Sequence, residues 1–218
     1  MKTLHHIIAV LFCIGFYGIS PAQKSAAKTN NPIVIIDPGH GGTDAGAIGI
    51  NKAEEKDIVL SIASKILVLN HTLYQNPLEV YLTRYTDTFV SLNDRTLLAK
   101  KLKAAVFISI HCNQAMNQTA AGTEVFIHPK NEVQTEESAY LGFTIQKRLA
   151  DLLGVKNRGL KYGNFQVLRD GQKGSASILL ELGFLSQTDE AIYLSKETSQ
   201  EAIALVILHS TINYLGLW

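Results

Sequence analysis

Three short runs of this chain are apolar, or nearly so, from end to end, and each meets a polar, reactive residue at its carboxyl end. Ile33-Val34-Ile35-Ile36 leads into Asp37-Pro38-Gly39-His40, Ala105 to Ile110 ends at His111, and Ser177 to Leu182 carries Glu181. A strand with one wet face alternates apolar and polar side chains, so an uninterrupted apolar run has no face to offer water. Such strands must be covered on both sides. Helices are available to do it. Ile58, Ile62, Ile66 and Leu69 repeat at helical spacing in a segment reaching about Tyr74. Further helices are predicted over about 91–102, opened by Ser91 and Asp94 as a capping box, and over about 137–153 and 200–214. Shorter strands are predicted at 78–83 and 123–127. Strands alternating with helices predict an α/β fold: a single domain with a mainly parallel, mixed sheet and helices on both faces. No internal repeat or linker interrupts residues 32–218.

The amino terminus reads differently. Lys2 supplies a basic start, Ile7 to Ile19 is an apolar run broken only by two glycines, and Ser20-Pro21-Ala22 has the small-residue pattern of a cleavage site. The run falls short of the roughly 20 residues a membrane-spanning helix needs. Residues 1–22 are therefore expected to be a signal peptide, removed on export to the periplasm or the extracellular space, and 23–31 a polar leader. The whole chain carries a formal charge of +1. Lys2 leaves with the signal, so the mature chain is neutral and gives no reason to expect nucleic acid or electrostatic membrane binding. Cys13 leaves too, and Cys112 alone cannot form an internal disulfide, so stability must come from packing or metal.

In a mainly parallel sheet, functional groups gather outside the carboxyl ends of the strands. The three buried strands would bring Asp37 and His40, then His111 and Asn113, then Glu181 to one sheet edge. Any one of these histidines alone is more often a hydrogen-bonded boundary residue than a ligand. Glu181 is harder to dismiss, because Ile178-Leu179-Leu180 and Leu182 surround it with apolar neighbours and an unpartnered carboxylate there carries a heavy desolvation cost. A hydrolytic zinc site needs about three His or carboxylate ligands, an open position for water, and a nearby carboxylate that takes the water's proton. His40, His111, a carboxylate between them and Glu181 would meet that need. Glu54 and Glu55 are both candidates for that carboxylate, and spacing does not separate them.

The segments Val34-Ile35-Ile36-Asp37-Pro38-Gly39-His40-Gly41-Gly42, Glu55-Lys56-Asp57, Ser109-Ile110-His111 and Leu180-Glu181-Leu182-Gly183-Phe184-Leu185-Ser186 resemble the zinc-dependent N-acetylmuramoyl-L-alanine amidases, the family that includes the cell-division amidases. Thr83-Arg84, Asp87, Ser91-Leu92, Arg95 and Arg158-Gly159 fit the same pattern, so the resemblance spans nearly the whole mature chain in order. It implies zinc held by His40, Glu55 and His111, with Glu181 as the catalytic acid–base. It also implies a peptidoglycan or muropeptide substrate, cut at the amide joining muramic acid to L-alanine. Three departures leave that set intact: Cys112 replaces a small residue, Ala176 a proline, and Lys100 an asparagine.

Cys112 should turn away from the site when His111 turns in, since neighbours on a strand face opposite ways. His71, His128 and His209 are expected to be structural. Asp37 is expected to hold the loop or a ligand, Arg84 and Arg95 to form salt bridges within the fold rather than bind stem-peptide carboxylates, and Asn113 is a candidate substrate contact. Two other functions compete: a zinc hydrolase of another cell-surface amide or peptide, and a wall-binding module without catalysis. Between the strand at 123–127 and the next helix, residues 128–136 form a turn too short and polar to make a helix that plugs the site. An open groove that needs no activator protein is the expectation.

Overall fold

The computed structural model describes residues 31–129, 132–171 and 174–217; the expected signal peptide and nearly all of the leader lie outside them. The elements in chain order are β1 (Ile33–Pro38), α1 (Glu55–Thr72), β2 (Glu79–Leu82), α2 (Leu92–Leu102), β3 (Val106–Asn113), β4 (Thr123–Ile127), α3 (Glu132–Leu153), β5 (Asn157–Tyr162), α4 (Gln166–Arg169), β6 (Ala176–Phe184), α5 (Thr188–Ser195) and α6 (Glu197–Tyr214).

The six strands form one sheet in the order β2-β1-β3-β6-β4-β5. β2, β1, β3 and β6 are parallel; β4 pairs antiparallel with β6, and β5 runs parallel to β4. The three apolar runs are thus adjacent central strands. Val106 to Ile110 and Ala176 to Leu180 are buried, and the burial first relaxes at His111 and Glu181. Ile58, Ile62 and Ile66 of α1, Leu141, Ile145 and Leu149 of α3, and Ile203 and Ile207 of α6 join the core on one face. The other face is covered more thinly: Ala99 of α2 and Val167 and Leu168 of α4 pack on Ile35, Phe107 and Leu179.

The predicted helices and strands are present, with differences at their ends and in number. Ser91 caps α2, its Oγ accepting from the Asp94 amide at 3.2 Å. Helix α3 begins at Glu132, not near Glu137; its first turns hold one apolar residue, the exposed Val133, among polar ones, so no apolar period marks the start. Three elements were not predicted. β5 is an edge strand of mixed polarity with Gly159 at φ 86°, α4 has four residues, and α5 has eight. Each is too short or too polar to declare itself by periodicity.

Candidate metal centre

The loop after β1 is held from below by two buried arginines. Arg95 donates from Nη1 to Asp37 Oδ1 (2.7 Å) and the Pro38 carbonyl (2.8 Å), and from Nη2 to the His40 carbonyl (2.7 Å). Arg84 donates to the carbonyls of Pro38, Gly39 and Lys56 at 3.0, 2.8 and 2.8 Å. Asp37, also held by Thr83 and Ser109, therefore fixes the loop through Arg95 and touches no ligand candidate. This frame holds His40 at φ 57°, a conformation uncommon for a residue with a side chain. Two glycines let the rings close in. A Cβ at Gly39 would collide with the His111 ring, and one at Gly46 would lie 2.5 Å from Glu55 Oε2 and 2.6 Å from the His40 ring.

Glu55 opens α1 and is 2% exposed. Its Oε2 accepts from the Ala47 amide at 2.8 Å, and its Oε1 accepts from the Cys112 amide at 2.9 Å. The same Oε1 lies 3.0 Å from His111 Nδ1 and 3.2 Å from His40 Nε2. The two rings meet edge-on, centroids 5.0 Å apart. One ligand atom from each of His40, Glu55 and His111 falls within 4.8 Å of the others. Donors on a tetrahedral zinc, bonded at roughly 2.0–2.2 Å, sit about 3.3–3.5 Å from one another, so two imidazoles and a carboxylate at this spacing fit a small divalent cation. Glu54 is the residue before the helix, and its carboxylate turns outward to Lys56 Nζ at 3.3 Å. Of the two glutamates, Glu55 is the one that faces the histidines.

Electrostatics point the same way. Burial lowers the pKa of His40, but the carboxylates of Glu55 and Asp44 outweigh it and push the ring up to about 9. Burial raises Glu55, but hydrogen bonding to His111 and His40 outweighs that and pulls it down to about 2. The two shifts are the two sides of one attraction, between the imidazoles and the carboxylates that face them. Asp44 Oδ2, 2.9 Å from His40 Nδ1, orients the ring so that Nε2 faces Glu55. Sequence reasoning missed Asp44, because the glycine-rich loop around it has no periodicity to read.

Glu181 stands beside the triad as the register partner of His111. Its Oε2 is buried without a hydrogen-bond partner. Burial, chiefly, pushes this carboxyl up to about 7; His111 opposes the shift, and Glu55 and Glu124 add to it. Glu181, His40 and His111 line a cavity of about 600 Å³ whose wall is otherwise mostly apolar, with Phe89, Leu92, Phe165 and Leu179. Cys112 faces the core at 3% exposure, its thiol pushed well up by burial and the surrounding glutamates. Asn113 donates to Glu124 at 3.2 Å. His71, His128 and His209 hydrogen-bond away from the triad, to Asn76, to the Gly163 carbonyl and to Tyr74. Glu124, 4% exposed on β4 and paired in register with Glu181, also went unremarked. Its signal was the one that marked Glu181, an acid inside an otherwise apolar strand.

Comparison with known proteins bears directly on this geometry. Residues 34–213 match the profile of the N-acetylmuramoyl-L-alanine amidase family. The catalytic domain of CwlV, an N-acetylmuramoyl-L-alanine amidase from Bacillus (Paenibacillus) polymyxa var. colistinus, superposes with a TM-score of 0.77 at 38% identity over 86% of this chain and 99% of that one. The amidase AmiA of Escherichia coli K12 is 30% identical over 88% of this chain and 78% of its own. The CwlD amidase of Clostridioides difficile, solved in complex with the GerS lipoprotein, is 30% identical with a TM-score of 0.76, over 86% of this chain and all of that one. The fold, the matched length and these relatives together place the chain in the N-acetylmuramoyl-L-alanine amidase family.

Proposed function

We propose that this protein is a zinc-dependent peptidoglycan amidase that hydrolyses the bond between N-acetylmuramic acid and L-alanine. The observation that carries the reading is the convergence of His40, Glu55 and His111 beside an unpartnered Glu181 carboxylate at the edge of one cavity. Zinc, when bound, supplies a Lewis acid that polarises the amide carbonyl and makes water a nucleophile near neutral pH. His40 Nε2, Glu55 Oε1 and His111 Nδ1 are the atoms that would hold it. Asp44 fixes the His40 ring, and the Ala47 and Cys112 amides fix the Glu55 carboxylate. Glu181 takes the proton of the attacking water and returns it to the leaving alanine nitrogen. A carboxyl poised near 7 suits both halves of that task.

The same reading has residues 1–22 cleaved on export and residues 32–218 as the catalytic domain. Among the described residues, no helix is long and apolar enough to cross a membrane. The reading also has the enzyme acting without an activator. β4 ends at Ile127 and α3 starts at Glu132, so only residues 128–131 connect them. Digestion of purified peptidoglycan followed by product mass analysis tests the function. Muramoyl glycans and free stem peptides beginning with L-alanine are expected. Release of other fragments would point instead to a different amide, and no release by zinc-loaded protein would overturn the reading.

A further inference from the structure

The triad and Glu181 leave one charged cluster on the same sheet edge unexplained. Glu124 lies opposite Glu181 across the β4–β6 pair, so the two side chains rise from the same face of the sheet. On β5, Arg158 Nε and Lys161 Nζ both reach the same oxygen, Glu124 Oε1, at 2.5 and 2.6 Å. Glu124 is almost fully buried, while the side chains of Arg158 and Lys161 are 31% and 41% exposed. Two cations on one carboxylate leave local positive charge facing solvent.

Both cations are also held in place. Arg158 lies over the Phe184 ring at 5.1 Å and Lys161 over the Phe126 ring at 5.8 Å. Cations fixed by a carboxylate and an aromatic face lose little further side-chain freedom when an anion arrives. Arg158 Nη2 makes no hydrogen bond to the described residues, and Lys161 Nζ uses one acceptor. Arg84 and Arg95 offer nothing comparable: both are 3% exposed, and their guanidinium groups turn inward onto backbone carbonyls and Asp37.

We infer that Arg158 and Lys161 form a carboxylate subsite that selects stem peptides with a free acid close to the scissile amide. The inference rests on the amidase reading and adds the substrate group that this flank recognises. β5 lies two strand spacings from β6, about 10 Å from Glu181, and the two side chains reach back toward β4. An extended peptide covers that span in two or three residues at about 3.4 Å each. The acid should therefore belong to the second or third residue beyond the cleaved bond.

The test compares two soluble muramoyl peptides that differ only at the second peptide residue, where the α-carboxyl is free in one and a carboxamide in the other. Wild type is expected to favour the free acid by about tenfold in kcat/KM, mostly through KM, as one charge-assisted contact at a half-exposed site provides. The triple variant Glu124→Gln/Arg158→Gln/Lys161→Gln removes the Glu124 charge together with both of its counter-ions and should treat the two within about twofold. Arg158→Gln and Lys161→Gln each leave Glu124 one counter-ion and should fall between, so the comparison survives even if the triple variant folds poorly. Equal cleavage of both substrates by wild type would overturn the subsite while leaving the amidase reading standing, as would a preference that persists in the variants. Cleavage of neither by zinc-loaded wild type would overturn both.

Discussion

Glu55 has four neighbours competing for two oxygens, the Ala47 and Cys112 amides and the rings of His40 and His111. Removing it strands both amides and separates the histidines, so Glu55→Ala should lose tightly bound zinc. Glu54→Ala removes only an outward carboxylate beside Lys56 and should keep it. Metal content by mass spectrometry separates the two, and zinc lost from Glu54→Ala but kept in Glu55→Ala would refute the assignment. Glu181 calls for a different experiment, because its environment works against its charge. Glu181→Gln should keep zinc while turnover falls by roughly 10²–10⁴. In chelated protein the same substitution should be stabilising. A carboxyl raised in the fold from 4.5 to about 7 adds no penalty below the lower value, a growing one between the two, and a constant one above. That penalty amounts to roughly 3 kcal/mol. Denaturant melts of the metal-free protein should show the variant more stable than wild type at pH 8 and equal at pH 4. Equal stability at both would mean Glu181 is not held in an unfavourable site.

At the scale of elements, the centre depends on how β1 hands over to its loop. Arg95, projecting from α2, ties the last residue of β1 to the first histidine. Its partner Asp37 is 1% exposed, so Arg95→Met strands a buried charge and should cost roughly 3–5 kcal/mol. Asp37→Asn/Arg95→Met removes the stranded charge and should recover part of that loss, yet zinc affinity should stay low because the His40 carbonyl remains untethered. Chemical denaturation with metal titration reads both quantities. A cost below about 1 kcal/mol for Arg95→Met would make the pair incidental. The β5 edge strand shows the converse case. It was invisible as an element, yet it delivers Arg158 and Lys161 to a carboxylate on its neighbour.

Across the whole molecule, the three ligand candidates come from the β1–α1 loop, the start of α1 and the end of β3, so one ion would bridge segments that are far apart in sequence. Metal that binds only this arrangement stabilises it by mass action, about 2.7 kcal/mol at a free concentration one hundred times Kd. For a domain of this size that corresponds to a Tm gain of roughly 5–10 °C. Calorimetry with chelator and then with added zinc should show the loss and its recovery; an unchanged Tm would mean the three segments bind no ion together. Regulation also belongs to this scale. The lipoprotein complex of the CwlD relative makes the activator question a sharp one. Purified, zinc-loaded protein should turn over a soluble muropeptide at full rate alone. Negligible activity that rises strongly when a lipoprotein partner is added would refute autonomy.

The α/β fold, the three central strands and the meeting of His40, His111 and Glu181 at their carboxyl ends were legible because each is written locally. An apolar run demands burial on both faces whatever surrounds it, and Ser91 caps α2 through a residue three positions away. His40, His111 and Glu181 followed from those runs, since each stands where an apolar strand meets polarity. What tertiary structure alone decided was pairing at a distance. Whether Glu54 or Glu55 faces the histidines depends on the phase of α1 against β3. Asp44 matters only because the loop folds it onto His40, and Arg158 and Lys161 matter only because β5 lies beside β4. Those choices are set by which side chains the packed sheet brings within a few ångströms; periodicity and spacing do not carry that information, and for Glu55 only the family resemblance of Glu55-Lys56-Asp57 pointed to it beforehand.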